Sequence, residues 1–169
     1  MDTKVLTAYL MERLGEIKGK KAFQKLVYLA QALEIPLGKA YCMHYYGPYS
    51  EEVAEEMNEL INKGLIINRP DTYSYITTAD TTELLEKSED VAKYSEQLDD
   101  LIAKFGHMTP RELEIYATAH FIDFKFNNLD GISDKDKIIE EIKKAKSPKF
   151  SDEEILKAYN DLEEWDLLH

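Results

Sequence analysis

Between Lys21 and Ile67, two apolar stripes of helical period flank a short aromatic-rich run. This arrangement narrows the fold more than any other part of the chain. The first stripe is Phe23, Leu26, Val27, Ala30 and Leu33, spaced so that one helix face is apolar, and it predicts a helix over about Lys20–Leu33. Ile35-Pro36 stops it, because the residue before a proline is pushed out of the helical region. Ala40–Tyr46 (AYCMHYY) has strand composition, and the reading places Cys42 in a buried strand. Gly47-Pro48 then turns the chain into a second helix. Ser50 is its N-cap, and Val53, Ala54, Met57, Leu60 and Ile61 form its core stripe before Gly64 ends it.

Around this pair, Thr3–Leu14 predicts an earlier helix with Asp2 and Thr3 as candidate caps. Leu65–Asn68 and Tyr73–Thr77 predict a hairpin about Arg69-Pro70-Asp71-Thr72. Helix, helix, strand, helix, hairpin is the order of a winged helix-turn-helix with a small β-hairpin wing. From Thr81 the pattern is helical throughout. One long helix is expected to about Phe105. A second opens at Thr109-Pro110-Arg111-Glu112, a third at Ser133-Asp134 and a last at Ser151-Asp152-Glu153-Glu154, with Ile155, Ala158, Tyr159, Leu162 and Trp165 inward. The fold class is therefore mainly α. Residues 1–79 form a winged-helix-like domain and residues 80–169 an acidic helical extension, packed together as one unit.

At 169 residues the chain has enough length for a proper core. Its 44% hydrophobic and 32% charged content suits a globular protein, without an apolar run approaching the ~20 residues a bilayer demands. The single Cys42 and the charges at Glu12, Arg13 and Glu16 point to a cytoplasmic location. The net charge of -12 is lopsided: residues 1–78 hold 9 basic and 10 acidic residues, and residues 79–169 hold 12 and 23. Such a field disfavours nucleic acid and anionic membrane and favours a basic partner, although a solvated acidic surface satisfies the same counts.

The motif search argues against catalysis. His44, His107, His120 and His169 lack a second His or Cys at ligand spacing, and neither a P-loop, a dinucleotide fingerprint nor a nucleophile elbow occurs. No metal and no cofactor are expected. DNA binding is the serious alternative. A winged helix sends its third helix into the major groove, but here that helix carries Glu51, Glu52, Glu55, Glu56 and Glu59 against Lys63. Its affinity would have to come from Lys18, Lys20, Lys21 and Lys25 at the start of the second helix and from Arg69 in the wing. The preferred reading is a protein-interaction surface made by Tyr45, Tyr46 and Tyr49 beside Glu51, Glu52, Glu55 and Glu59. A homodimer through the wing is a further option.

At FQKLVYLAQ, HYYGPYSEEV and GLI the chain resembles the uncharacterised YwgA-type proteins of bacteria and archaea. The likeness continues at Glu112–Ile122 (ELEIYATAHFI) and Ser147–Leu162 (SPKFSDEEILKAYNDL). More distantly, Phe23-Gln24-Lys25-Leu26, Tyr28, Ala30-Gln31 and Tyr46-Gly47-Pro48 resemble the Panacea domain of SocA-like antitoxins and proteolysis adaptors. That resemblance implies a non-enzymatic role, neutralising or delivering another protein, and offers no catalytic residue to carry over.

Overall fold

The computed structural model describes residues 1–131 and 133–168, without the side chains of Ala79 and Asp80; His169 lies outside the described residues. Helix α1 (Thr3–Leu14) begins where the Asp2 carboxylate accepts the Lys4 N–H at 2.8 Å, and ends at Gly15. Ile17 follows, exchanging two backbone hydrogen bonds with Tyr75, before helix α2 (Gly19–Ala32) starts. Phe23, Leu26, Val27 and Ala30 of α2 are all buried, as their spacing demands.

The aromatic run forms a hairpin of its own. Strand β1 (Cys42–His44) pairs antiparallel with β2 (Gly47–Tyr49), with Tyr45 and Tyr46 at the turn. Helix α3 (Glu51–Asn62) follows, capped by Ser50, whose hydroxyl accepts from the Val53 N–H. A second hairpin, β3 (Ile66–Arg69) and β4 (Ser74–Thr77), makes a separate sheet to which Ile17 adds its bridge. The prediction for Cys42 needs correcting: all of β1, Cys42 included, is exposed. β2 is the strand that packs on α2 and α7, and it leaves β1 on the outer edge of the pair.

The long helix expected from Thr81 to Phe105 is three pieces: α4 (Ala79–Glu86), α5 (Asp90–Lys93) and α6 (Ser95–Phe105). The first break is a local turn at Lys87–Glu89, where the Ser88 hydroxyl accepts the Asp90 N–H. Helix α7 (Pro110–Phe124) opens with the full Thr109/Glu112 capping box and continues into a π-turn at Lys125–Leu129. Helices α8 (Lys135–Lys146) and α9 (Asp152–Glu164) complete the chain, the latter with its Ser151/Glu154 box.

α7 is the axis of the molecule. It packs against α2, α8, α9 and β2, and every side chain from Leu113 to His120 is buried. A helix buried on all sides must satisfy its polar groups internally. The Tyr28 hydroxyl and His120 Nδ1 lie 2.7 Å apart, and the Tyr159 hydroxyl donates to Asp123 at 2.9 Å. One hydrophobic cluster runs from Leu6 to Leu162, so the two halves of the chain share an interior.

Candidate functional site

The β1–β2 hairpin sits on a set of buried polar contacts supplied by α2, α7 and α8. From α2, the Gln24 amide makes two bonds to Ser50, donating to its carbonyl at 2.8 Å and accepting its N–H at 3.1 Å. One residue on, buried Lys25 donates to the Pro48 carbonyl at 2.6 Å. Gly47 lies between them in the left-handed region at φ 88°, so close to α7 that a Cβ there would meet Thr118 Oγ1 at 2.6 Å. The Gln-Lys and Tyr-Gly-Pro-Tyr-Ser segments are thus two halves of one latch. The turn needs glycine for clearance, and the helix needs an amide and an ammonium to hold the turn's carbonyls.

Behind the latch is Glu114 of α7, whose side chain is wholly buried. Lys21 reaches it from α2 at 2.9 Å, Lys146 from α8 at 2.9 Å and Lys149 at 2.6 Å. Lys146 also donates to the Tyr45 carbonyl at 2.9 Å, tying α8 to the hairpin tip. Burial alone would raise the Glu114 carboxyl, but hydrogen bonds from Lys149, Lys21 and Lys146 overturn that and hold it at about 2. For Lys25 the attraction of Glu114 is the smaller influence. Burial first, and Lys146 second, bring its ammonium down to about 8. Burial lowers Lys146 as well, against the pull of Glu114.

The expected interaction residues fall on the surface around this cluster. Tyr45 is 73% exposed and Tyr46 49%, with the Lys149 ammonium 5.0 Å and that of Lys21 5.6 Å from the Tyr46 ring centre. Tyr49 is half-buried. Glu51, Glu52, Glu55 and Glu59 are exposed on α3. Lys39 binds Glu52 and Glu56 at 2.7 and 2.6 Å, and Lys63 binds Glu59, so part of this acidity is answered within the fold. The cations proposed for DNA are dispersed. Lys18 and Lys20 are exposed, Lys21 is held by Glu114, Arg69 faces Asp71 at 3.5 Å, and Lys25 is buried on Pro48. For Lys25 the expectation of a solvated, phosphate-facing side chain is therefore corrected: the hairpin closes over it.

Glu114, Lys146 and Lys149 escaped the sequence reading because they lie far along the chain from the tyrosines. A usable signal existed in Glu114, an acid set within the apolar run Leu113 to Ala119 of α7. Beside the hairpin, an apolar groove of about 620 Å³ is lined by Tyr41, Met43, Phe121, Phe124 and Leu129. Among the described residues, no group of three or more His, Cys, Asp or Glu is placed to hold a metal ion, and no helix is long and apolar enough to cross a membrane.

Fold and site together define a mainly helical protein with two small antiparallel hairpins and a lysine-rich polar cluster under one of them. The chain is 27% identical over 160 residues to a Bacillus subtilis (strain 168) protein described as uncharacterized protein YwgA, a match spanning 89% of this chain and 88% of that one. This distant likeness is consistent with the YwgA-like resemblance read at the Gln-Lys and Tyr-Gly-Pro segments. No family model matches the chain.

Proposed function

We propose that this protein is a non-enzymatic protein-interaction or regulatory module, antitoxin- or adaptor-like, on a winged helix-turn-helix scaffold. The order α1, Ile17 bridge, α2, α3, β3–β4 supports the scaffold. The observation that carries the function is the exposure of Tyr45 and Tyr46 at the tip of a hairpin whose carbonyls are fixed by Lys146 and Lys25. Aromatic anchors on a rigid backbone lose little conformational entropy on docking, which is what an interface hot spot requires. Next to them, exposed Glu51, Glu52, Glu55 and Glu59 suit a partner with a basic surface.

The DNA-binding alternative needs cations facing outward, and the engagement of Lys21 by Glu114 and Lys25 by Pro48 weakens it. The test is affinity purification of the native full-length protein, with proteins and nucleic acids identified in the same eluate, alongside a Tyr45→Ala/Tyr46→Ala variant. A stoichiometric protein partner retained by the parent and lost by the variant is the expected result. Sequence-selective DNA retention that persists in the variant and disappears on changing Lys18 and Lys20 would replace this reading with a transcriptional regulator.

A further inference from the structure

Among the described residues, β1 pairs with β2 alone, and all three of its residues are exposed. The register shows what its outer side offers. Met43 stands opposite Pro48, which has no N–H to give, while Cys42 faces Tyr49 and His44 faces Gly47. Antiparallel pairs alternate between those that exchange both backbone hydrogen bonds and those that exchange none, so Met43 and Pro48 are a non-bonded pair. The Met43 N–H and C=O therefore point away from β2, to the outside of the sheet. Natural edge strands are blunted by lysine, proline or a bulge, and Cys42-Met43-His44 carries none of these.

Charge is graded along this edge. Glu51, Glu52, Glu55 and Glu56 of α3 lie towards its Cys42 end, answered by Lys39 on Glu52 and Glu56. They are close to the hairpin: burial first, then Glu56 and Glu52, raise the Tyr41 hydroxyl, and burial and Glu51 raise that of Tyr49. At the turn end the balance reverses. Lys21, Lys146 and Lys149 gather about Tyr45 and Tyr46 against the single carboxylate of Glu114. Beside the strand, Met43 forms a lip of the apolar groove of about 620 Å³, where Phe124 and Leu129 are exposed.

We propose that β1 is the contact of a symmetric dimer, in which the Met43 edges of two copies pair antiparallel and join both hairpins into one four-stranded sheet. The Met43 N–H of each copy donates to the Met43 carbonyl of the other. A second copy is the occupant that the charge gradient fits. Antiparallel self-pairing sets the acidic end of each strand against the basic end of the other, and the twofold axis makes that match twice. Directly opposed residues share one face of an antiparallel pair, so the two Met43 side chains meet there. A contact centred on three-residue strands belongs to the small, weak class of interfaces, with dissociation at roughly 10–100 μM. It uses the strand's backbone rather than the outward rings of Tyr45 and Tyr46, so it stands apart from the partner docking proposed above.

The experiment is sedimentation velocity of the full-length protein from about 5 to 500 μM, where a reversible monomer–dimer equilibrium is expected. Met43→Pro removes the outward N–H at a position that gives none to β2, so the hairpin keeps its bonds and the dimer should weaken at least tenfold. Its circular dichroism melt checks that the fold is kept. Glu55→Lys, an exposed change, should weaken the dimer about threefold even though it lessens repulsion between two chains of net charge -12. A cross-link decides independently of both. In a Cys42→Ser background, Met43→Cys sets two thiols opposite each other at about 5.5 Å between Cα atoms, a separation that a disulfide accepts. Mild oxidation should yield a covalent dimer, whereas Ile67→Cys, exposed on the other hairpin, should stay monomeric. A parent that is monomeric throughout, a folded Met43→Pro variant that dimerises as the parent does, or Ile67→Cys cross-linking as fast as Met43→Cys would each overturn the proposal.

Discussion

The molecule contains two antiparallel hairpins of nearly equal size that are held in opposite ways. In β1–β2, backbone carbonyls of Tyr45 and Pro48 are bonded by lysines from α8 and α2, and Gly47 is in contact with α7. In β3–β4, the tip from Arg69 to Tyr73 is exposed. Its charge pair, Arg69 with Asp71, lies in solvent, and Tyr73 takes a left-handed φ of 52° at 80% exposure. The first hairpin is held up to its tip by tertiary contacts, whereas the second is anchored at its base, by burial of Ile66 and Tyr75 on α1 and α3 and the bridge to Ile17, and its tip stands free. A strand pair anchored at its tip can present side chains at fixed positions, while one anchored only at its base tolerates change at its tip.

The largest expected effect is at the anchor. Replacing Glu114 by Ala leaves three lysines around an empty buried position and should cost about 3 kcal/mol, read from urea unfolding midpoints. The matching change in the other hairpin, Asp71→Ala, removes an exposed pair and should stay within about 0.5 kcal/mol. If both cost the same, the distinction between the hairpins is wrong.

Next comes backbone clearance. Gly47→Ala would combine a left-handed φ with a Cβ 2.6 Å from Thr118 Oγ1, for a cost of about 2–3 kcal/mol. Gly64→Ala has similar φ, 69°, but open space around it, and should cost about 1 kcal/mol. The difference between the two variants isolates the contact with α7 from backbone strain.

The pH dependence follows from the same cluster. Glu114 ionises at about 2 in the fold, below the ordinary 4.5, so its stabilisation is complete above pH 4.5 and lost as pH falls towards 2. Lys25 gives a slope of the same sign in a second window, although its shift is destabilising at neutral pH. Its ammonium is lowered from 10.5 to about 8, so between those values the unfolded chain binds the extra proton and stability rises with pH. Thermal melts across both windows should show these slopes, with the acid one flattened in Glu114→Gln and the alkaline one in Lys25→Met.

The smallest effect should be at the exposed tips. Tyr73→Gly relieves a left-handed non-glycine residue and should stabilise by up to about 1 kcal/mol, seen as a modest rise in melting temperature. Tyr45→Ala should leave stability within about 0.5 kcal/mol.

Much of the helical framework was legible because its signals are local. Asp2, Ser50, Thr109 and Ser151 each cap the helix they were expected to cap, and the stripe from Phe23 to Ala30 is buried. The β3–β4 hairpin was equally local, with Pro70 and Asp71 marking its turn. Two expectations failed for different reasons. The exposure of Cys42 is decided at a distance, by β2 taking the place against α7, whereas the break near Ser88 is a local turn hidden within a helical pattern. At the site, the tyrosines could be located by composition. Their floor could not, since Glu114 lies 93 residues from Lys21 and Lys146 lies 101 from Tyr45.

Those separations bear on how the chain matures during synthesis. When the hairpin leaves the ribosome, α2 is already present to offer Gln24 and Lys25, but the surface that Gly47 rests on and the lysine that holds Tyr45 have yet to be made. At roughly 5–20 residues per second, the 101 positions from Tyr45 to Lys146 correspond to about 5–20 seconds. For that interval the nascent chain carries an ammonium without its cover and an aromatic tip without its footing. The latch closes only when α7 and α8 arrive, so the finished surface marks a chain that has been translated past Lys146.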